Sequence, residues 1–143
     1  MKVTIFESLF TENAHHVHLS QALKRIQTGR SSTLIDEVRS GNKEAKKKLP
    51  VVLFSGEFSS RKDEALFEHS GLVVLDFDHV DVDKTKQALA TDDFVLACWT
   101  SPSGDGIKAV VKITNPERHR DHFRSLIAYF DKQYGLQVDE TGI

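Results

Sequence analysis

Apolar and polar residues alternate with two different periods along this chain, and each change of period marks a change of element. "MKVTIFESLF" opens with the period-two pattern of a strand. The next stretch switches to helical spacing. In "SQALKRIQTG", Ser20 is placed as an N-cap, Leu23 and Ile26 share a face, and Gly29 is the stop. "TLIDEVRSG" repeats the design, with Thr33 and Asp36 as a capping box and Gly41 beyond the end. "NKEAKKKLP" then runs basic up to Pro50. "VVLF" at 51–54 predicts a strand, and "SRKDEALFEHSG" a short helix capped by Ser60 and Asp63.

From Gly71 the order of elements carries more information. A strand at 72–78 precedes a short helix near 83–90, a strand at 94–99, a glycine-containing loop and a strand at 107–113. "NPERHRDHFRSLIAYFDKQYG" is the clearest helix. Asn115 is its expected N-cap, Pro116 takes the first turn and Gly135 ends it, while Phe123, Leu126, Ile127, Phe130 and Tyr134 form one apolar stripe. A last strand is predicted from Leu136. The order is β-α-β-β-α-β, so the predicted fold class is α+β, with a ferredoxin/RRM-like core over about residues 71–143. The expectation is a single domain spanning 1–143: a mainly helical part, 1–50, packed on an α/β part, 51–143. The ending in "VDETGI" reads as a stop inside a strand, so a fragment of a longer protein is expected.

Bulk composition narrows the class. At 39% hydrophobic and 28% charged, the sequence is that of an ordinary globular domain, and no apolar run approaches the roughly 20 residues of a membrane span. The lone cysteine, Cys98 in "FVLACW", excludes an internal disulfide, reads as a buried inert thiol and suits a reducing cytoplasm. A net charge of −2 argues against a whole-surface nucleic-acid binder while allowing a local basic patch.

The chemistry concentrates in two stretches. "GLVVLDFDHV" ends a buried strand with Asp76 and Asp78, which share one face about 7 Å apart. Two such carboxylates repel unless a cation lies between them, and they form a pair of hard oxygen ligands for a divalent metal. In the ferredoxin-like arrangement the last strand pairs antiparallel with the first, which brings Asp139 to the same end. The second stretch is "SPSGDGIK". Gly104 and Gly106 permit close backbone approach, Ser101 and Ser103 add hydroxyl donors, and Lys108 adds a point charge, the equipment of a phosphate cradle. A simple hairpin turn explains the same residues. With the first and third strands taken as parallel, Lys108 lies away from Asp78. His15, His16 and His18 in "AHHVH" lack a further ligand at fitting spacing for zinc, and Lys43, Lys46, Lys47 and Lys48 read as a solvated face. Phe94 and Trp99 are expected in the core, and His119 and His122 on the polar side of their helix.

"LPVVLFSGEFSSRKDEALFEHSGLVVLDFDHV" followed by "DDFVLACWTSPSGDGIKAVVKI" resembles the VirE-type N-terminal domain, which is similar to the archaeo-eukaryotic primases and primase-polymerases. The resemblance implies metal-dependent nucleotidyl transfer in DNA replication of a mobile element or phage. It implies Mg²⁺ or Mn²⁺ held by Asp76, Asp78 and Asp139 as catalytic residues, with nucleoside triphosphates and template DNA as partners. Ser101, Ser103, Gly104, Gly106, Lys108 and Arg61 are the implied nucleotide and phosphate contacts. Lys108 stands where the primase pattern has a histidine. That departure and the mild net acidity favour the alternative of a catalytically degenerate module that positions DNA for a partner helicase; a third reading is a ferredoxin-like interaction module whose polar strand ends only solubilise it.

Overall fold

The computed structural model describes residues 1–140, and the chain divides into two compact units, residues 1–70 and the segment from Gly71 onward. The fold is α+β, with five α-helices and three small antiparallel sheets among the described residues.

In residues 1–70, strand β1 (Lys2–Phe6) lies between β2 (His15–His18) and β3 (Val51–Leu53), antiparallel to both. The predicted helices are present as α1 (Leu19–Gln27), α2 (Ser32–Arg39) and α3 (Lys43–Lys48). Their caps differ from the sequence expectation. Strand β2 runs straight into α1, so the cap is its last residue, His18. Its ring nitrogen accepts the Ser20 N–H, and Gln21 accepts the His18 N–H to close a capping box. Helix α2 starts after Ser31 without a side-chain cap, so the Thr33–Asp36 box does not form.

The stretch predicted as a helix from Ser60 to Ser70 is instead one 3-10 turn, Asp63–Ala65, and a strand, β5 (Leu66–His69). Strand β5 pairs with β4 (Gly56–Phe58), and this pairing overrides the weak local helical preference. Gly56 makes it possible, because a Cβ there would lie 2.1 Å from the backbone oxygen of Glu68. Buried Thr4 joins the hairpin to β1: its hydroxyl donates to the Gly56 carbonyl at 2.9 Å and accepts the Phe58 N–H at 2.8 Å. His16 adds a third tie, its Nε2 lying 2.8 Å from the Phe58 carbonyl oxygen.

From Gly71 onward the sheet order is β6-β8-β7, built from Leu72–Phe77, Val95–Thr100 and Ile107–Lys112. Both pairings are antiparallel, so the parallel arrangement assumed above for the first and third strands is corrected. Alternation along β6 and β8 sends Val73, Leu75, Phe77, Ile107, Ala109 and Val111 to one face. There they pack with Leu89 of α4 (Val82–Ala90) and with Phe123 and Phe130 of α5 (His119–Tyr134). A 3-10 turn, Pro116–Arg118, precedes α5, and Asn115 makes no side-chain cap bond, because the tighter first turn displaces the helix start. Gly135 ends α5 in the left-handed region at φ 67°, as its position predicts.

The predicted last strand from Leu136 is not a strand among the described residues. The segment makes one backbone bond to β6, Asp139 N–H to Asp76 O at 2.8 Å, while Val138 sinks into the core. Residues 141–143 of that prediction lie outside the described residues. No helix among the described residues is long and apolar enough to cross a membrane.

Candidate functional site

The end of β6 collects most of the residues singled out in the sequence. Leu75 and Phe77 point into the core, so Asp76 projects from the opposite face, one third exposed. The antiparallel register sets Lys108 directly across from Asp76, and its Nζ donates to Asp76 Oδ1 at 2.7 Å. The carboxylate repulsion predicted for this strand end is therefore met by an internal cation. Asp78 lies just past the strand, exposed, and its carboxylate makes no hydrogen bond or ion pair among the described residues. Asp139 reaches Asp76 through its backbone N–H.

The glycine loop is folded back onto this strand end. Gly106 packs so closely that a Cβ would lie 2.8 Å from the Phe77 carbonyl oxygen. The Val80 N–H donates to the Asp105 carbonyl at 3.0 Å. Between them His79 takes φ 55°, a left-handed conformation in which histidine is several-fold enriched among non-glycine residues. Its Nδ1 sits 2.7 Å from Asp105 Oδ2, and Ser103 donates to Asp105 Oδ1 at 2.8 Å. Ser101 and Ser103 share a hydroxyl contact of 3.0 Å. The Ser103 hydroxyl, and then the His79 ring, hold the Asp105 carboxyl below the usual carboxylate range. Gly104 carries the positive φ expected of the turn, at 88°. The turn's own bonds use the N–H groups of Ser101 and Gly104, and those of Ser103 and Gly106 are not spent on it.

Of the nine residues singled out for the site, Asp76, Asp78, Asp139, Ser101, Ser103, Gly104, Gly106 and Lys108 thus belong to one strand end and the loop docked on it. Arg61 belongs to the other unit. There its Nη1 donates to the carbonyls of Ser8 and Thr11, both at 3.1 Å, and its guanidinium lies over the Phe6 ring.

A divalent cation was expected here. Among the described residues no group of three or more His, Cys, Asp or Glu is arranged to hold one. The Asp78 carboxylate and the second Asp76 oxygen make no ion pair among the described residues; Mg²⁺ sites in general use only one or two carboxylates together with waters and substrate phosphates.

Two groups escaped the sequence reading. One is the His79–Asp105 contact, although "DHV" beside a glycine-rich loop carries a turn signal. The other is Asp92, whose buried carboxylate accepts hydrogen bonds from Tyr129 at 2.7 Å, from Tyr134 and from the Phe94 N–H at 2.8 Å. Burial pushes this carboxyl up, but the two phenols and the backbone donors outweigh it and hold it low, while both phenols are raised. Residues 37 and 42 positions apart give no sequence signal of this kind. Phe94, expected in the core, is 54% exposed just before β7 and stands in a T-shaped contact with Tyr129, ring centroids 5.0 Å apart. Cys98 packs against the core, and burial pushes its thiol up despite the nearby Lys86.

No curated protein and no solved structure matches this chain. One family model does match, that of the BT4734-like, N-terminal domain, over residues 44–141. It covers more than half of the sequence, and the chain belongs to that family.

Proposed function

We propose that this BT4734-like N-terminal domain is a primase-polymerase-like module for metal-dependent nucleotidyl transfer in the replication of a mobile element or phage. It would work in the cytoplasm on nucleoside triphosphates and DNA, beside a helicase. The single observation that supports this reading is the docking of "SPSGDGIK" on "LDFD": Gly106 against the Phe77 carbonyl, Lys108 on Asp76, and Asp105 beside His79. Acidic oxygens and phosphate donors then share one strand end, an arrangement suited to a triphosphate and its counter-ion.

In this reading Asp76 and Asp78 hold Mg²⁺ or Mn²⁺, with Asp139 beside them. When bound, the ion supplies a Lewis acid for the phosphoryl oxygens and lowers the pKa of the attacking hydroxyl. Lys108 has two tasks. Without substrate it neutralises Asp76, and with substrate its amine turns to a phosphate, one point charge exchanged for another. The N–H groups of Ser103 and Gly106, which bond no backbone carbonyl among the described residues, orient the phosphates.

A second reading, the non-catalytic nucleotide- or DNA-binding module, is favoured by one observation: the three acids are not preassembled around a common centre. Template-directed incorporation assayed with Mn²⁺ separates the two. Incorporation by the wild type and its loss in Asp78→Asn supports the enzyme. Nucleotide binding without incorporation, across primed and unprimed templates, supports the module.

A further inference from the structure

The turn after β1 is braced well beyond the needs of a connection. Arg61 donates to the carbonyls of Ser8 and Thr11, the Phe10 N–H reaches the Ser8 hydroxyl at 3.1 Å, and the Thr11 hydroxyl donates to the Ser8 carbonyl at 3.2 Å. The Leu9 N–H bonds the Lys47 carbonyl at 3.1 Å, filling one of the open acceptors at the C-terminal end of α3. This turn presents Leu9 and Phe10 to solvent, 45% and 69% exposed, directly beside a basic helix. Lys43, Lys46 and Lys48 are exposed and their side chains make no ion pair or hydrogen bond among the described residues, while Lys47 meets Glu44 at 3.3 Å. Of the acids near the turn, Glu7 is drawn to Arg25 and Arg30, which leaves Glu12 exposed. Residues 1–50 hold nine Lys and Arg against five Asp and Glu, in a chain that is acidic as a whole.

We propose that this turn and the exposed lysines of α3 form a contact surface for single-stranded nucleic acid, with Phe10 stacking on a base and the lysines meeting phosphates. The partner's class rests on the function proposed above, but the surface uses none of the residues at the β6 end. An exposed aromatic on a braced turn beside several lysines is the chemistry of sequence-tolerant single-strand binding, since every unpaired base offers a π-face. A duplex hides those faces. A membrane surface fits less well, because the apolar residues of α3, Ala45 and Leu49 just past its end, are both buried and leave the helix no apolar face for lipid.

The test is fluorescence anisotropy of a labelled mixed-sequence single strand and its duplex, in EDTA, across a salt series. Phe10→Ala is expected to weaken single-strand binding about tenfold with an unchanged salt slope, the loss of one stacked base. The triple variant Lys43→Gln, Lys46→Gln and Lys48→Gln should flatten the slope by about 2. Duplex binding should not respond to Phe10→Ala, and melting temperatures should hold, since all four side chains are exposed. Asp78→Asn should bind the strand as wild type does, so that a failure of catalysis and a failure of this surface are read separately. Absence of single-strand binding, or equal affinity in Phe10→Ala, overturns the inference. So does an equal loss on duplex, or Phe10-dependent binding to phosphatidylserine vesicles with oligonucleotide binding unaffected.

Discussion

From Gly71 onward, alternate residues of two long strands and the stripe of α5 close on one another, so a continuous apolar core holds the unit. In residues 1–70 the strands are three to five residues long; Val3, Ile5, Phe6, Phe54 and Phe58 are buried there too, and polar side chains bonded to distant backbone add a second set of ties: Thr4 to Gly56 and Phe58, His16 to Phe58, Arg61 to Ser8 and Thr11. Charge divides in the same way. Residues 1–70 carry eleven Lys and Arg against nine Asp and Glu, and residues 71–143 carry eight against twelve. The difference teaches that a core tolerates polar chemistry at its edge, where the acids and the loop gather, whereas a polar-pinned unit spends its polar residues on its own architecture.

Variants can break this comparison. The largest expected effect is Phe130→Ala, which empties the centre of the apolar core and should cost about 4 kcal/mol in urea unfolding. Gly56→Ala follows, at about 2–3 kcal/mol, because its Cβ meets the Glu68 backbone rather than a yielding side chain. Hydrogen exchange should localise the first loss to β6–β8 and the second to β4–β5. Asp92→Asn should cost about 2 kcal/mol at neutral pH, the worth of hydrogen bonds to a charged acceptor. The wild-type carboxyl is held low in the fold, so its contribution is present above about pH 3.9 and is lost as pH falls through the lower folded value. The acid limb of a stability-against-pH curve should accordingly be shallower in the variant. Thr4→Val, which removes two bonds to backbone in the polar-pinned unit, should cost about 1–2 kcal/mol.

The smallest change in stability is expected at the candidate site. Lys108→Met removes a partly exposed ion pair worth at most about 1 kcal/mol. It should nevertheless raise the thermal shift produced by Mn²⁺, because Asp76 is released, whereas Asp76→Asn should remove that shift. An equal Mn²⁺ response in wild type and both variants would falsify a metal role for this strand end.

Legibility from sequence followed the same division. The core unit announced itself through period: the stripe Phe123–Tyr134 and the stop at Gly135 stand where spacing places them, and the strand predicted at 72–78 is observed at Leu72–Phe77. The misreading of 66–69 as helix arose because a four-residue strand carries too few periods to outvote "DEAL", and its partner strand decides. At the site, the residues of two adjacent motifs were readable, but the Asp76–Lys108 contact required the direction of β8, which local pattern does not contain. The pins Thr4, His16 and Arg61 reach 42 to 54 residues along the chain, and isolated polar residues give no hint of their destination.

The packing of Cys98 has a consequence for experiment. Its thiol is the only one in the chain, is partly buried, and is pushed up by that burial, which should lower its thiolate fraction and slow its alkylation. The wild-type protein should therefore give a low background in thiol labelling. A variant such as Glu12→Cys, at an exposed position two residues from Phe10, would take a fluorophore or spin label at one place without first removing the native cysteine. The label would then report on whatever approaches that turn, in the otherwise unaltered chain.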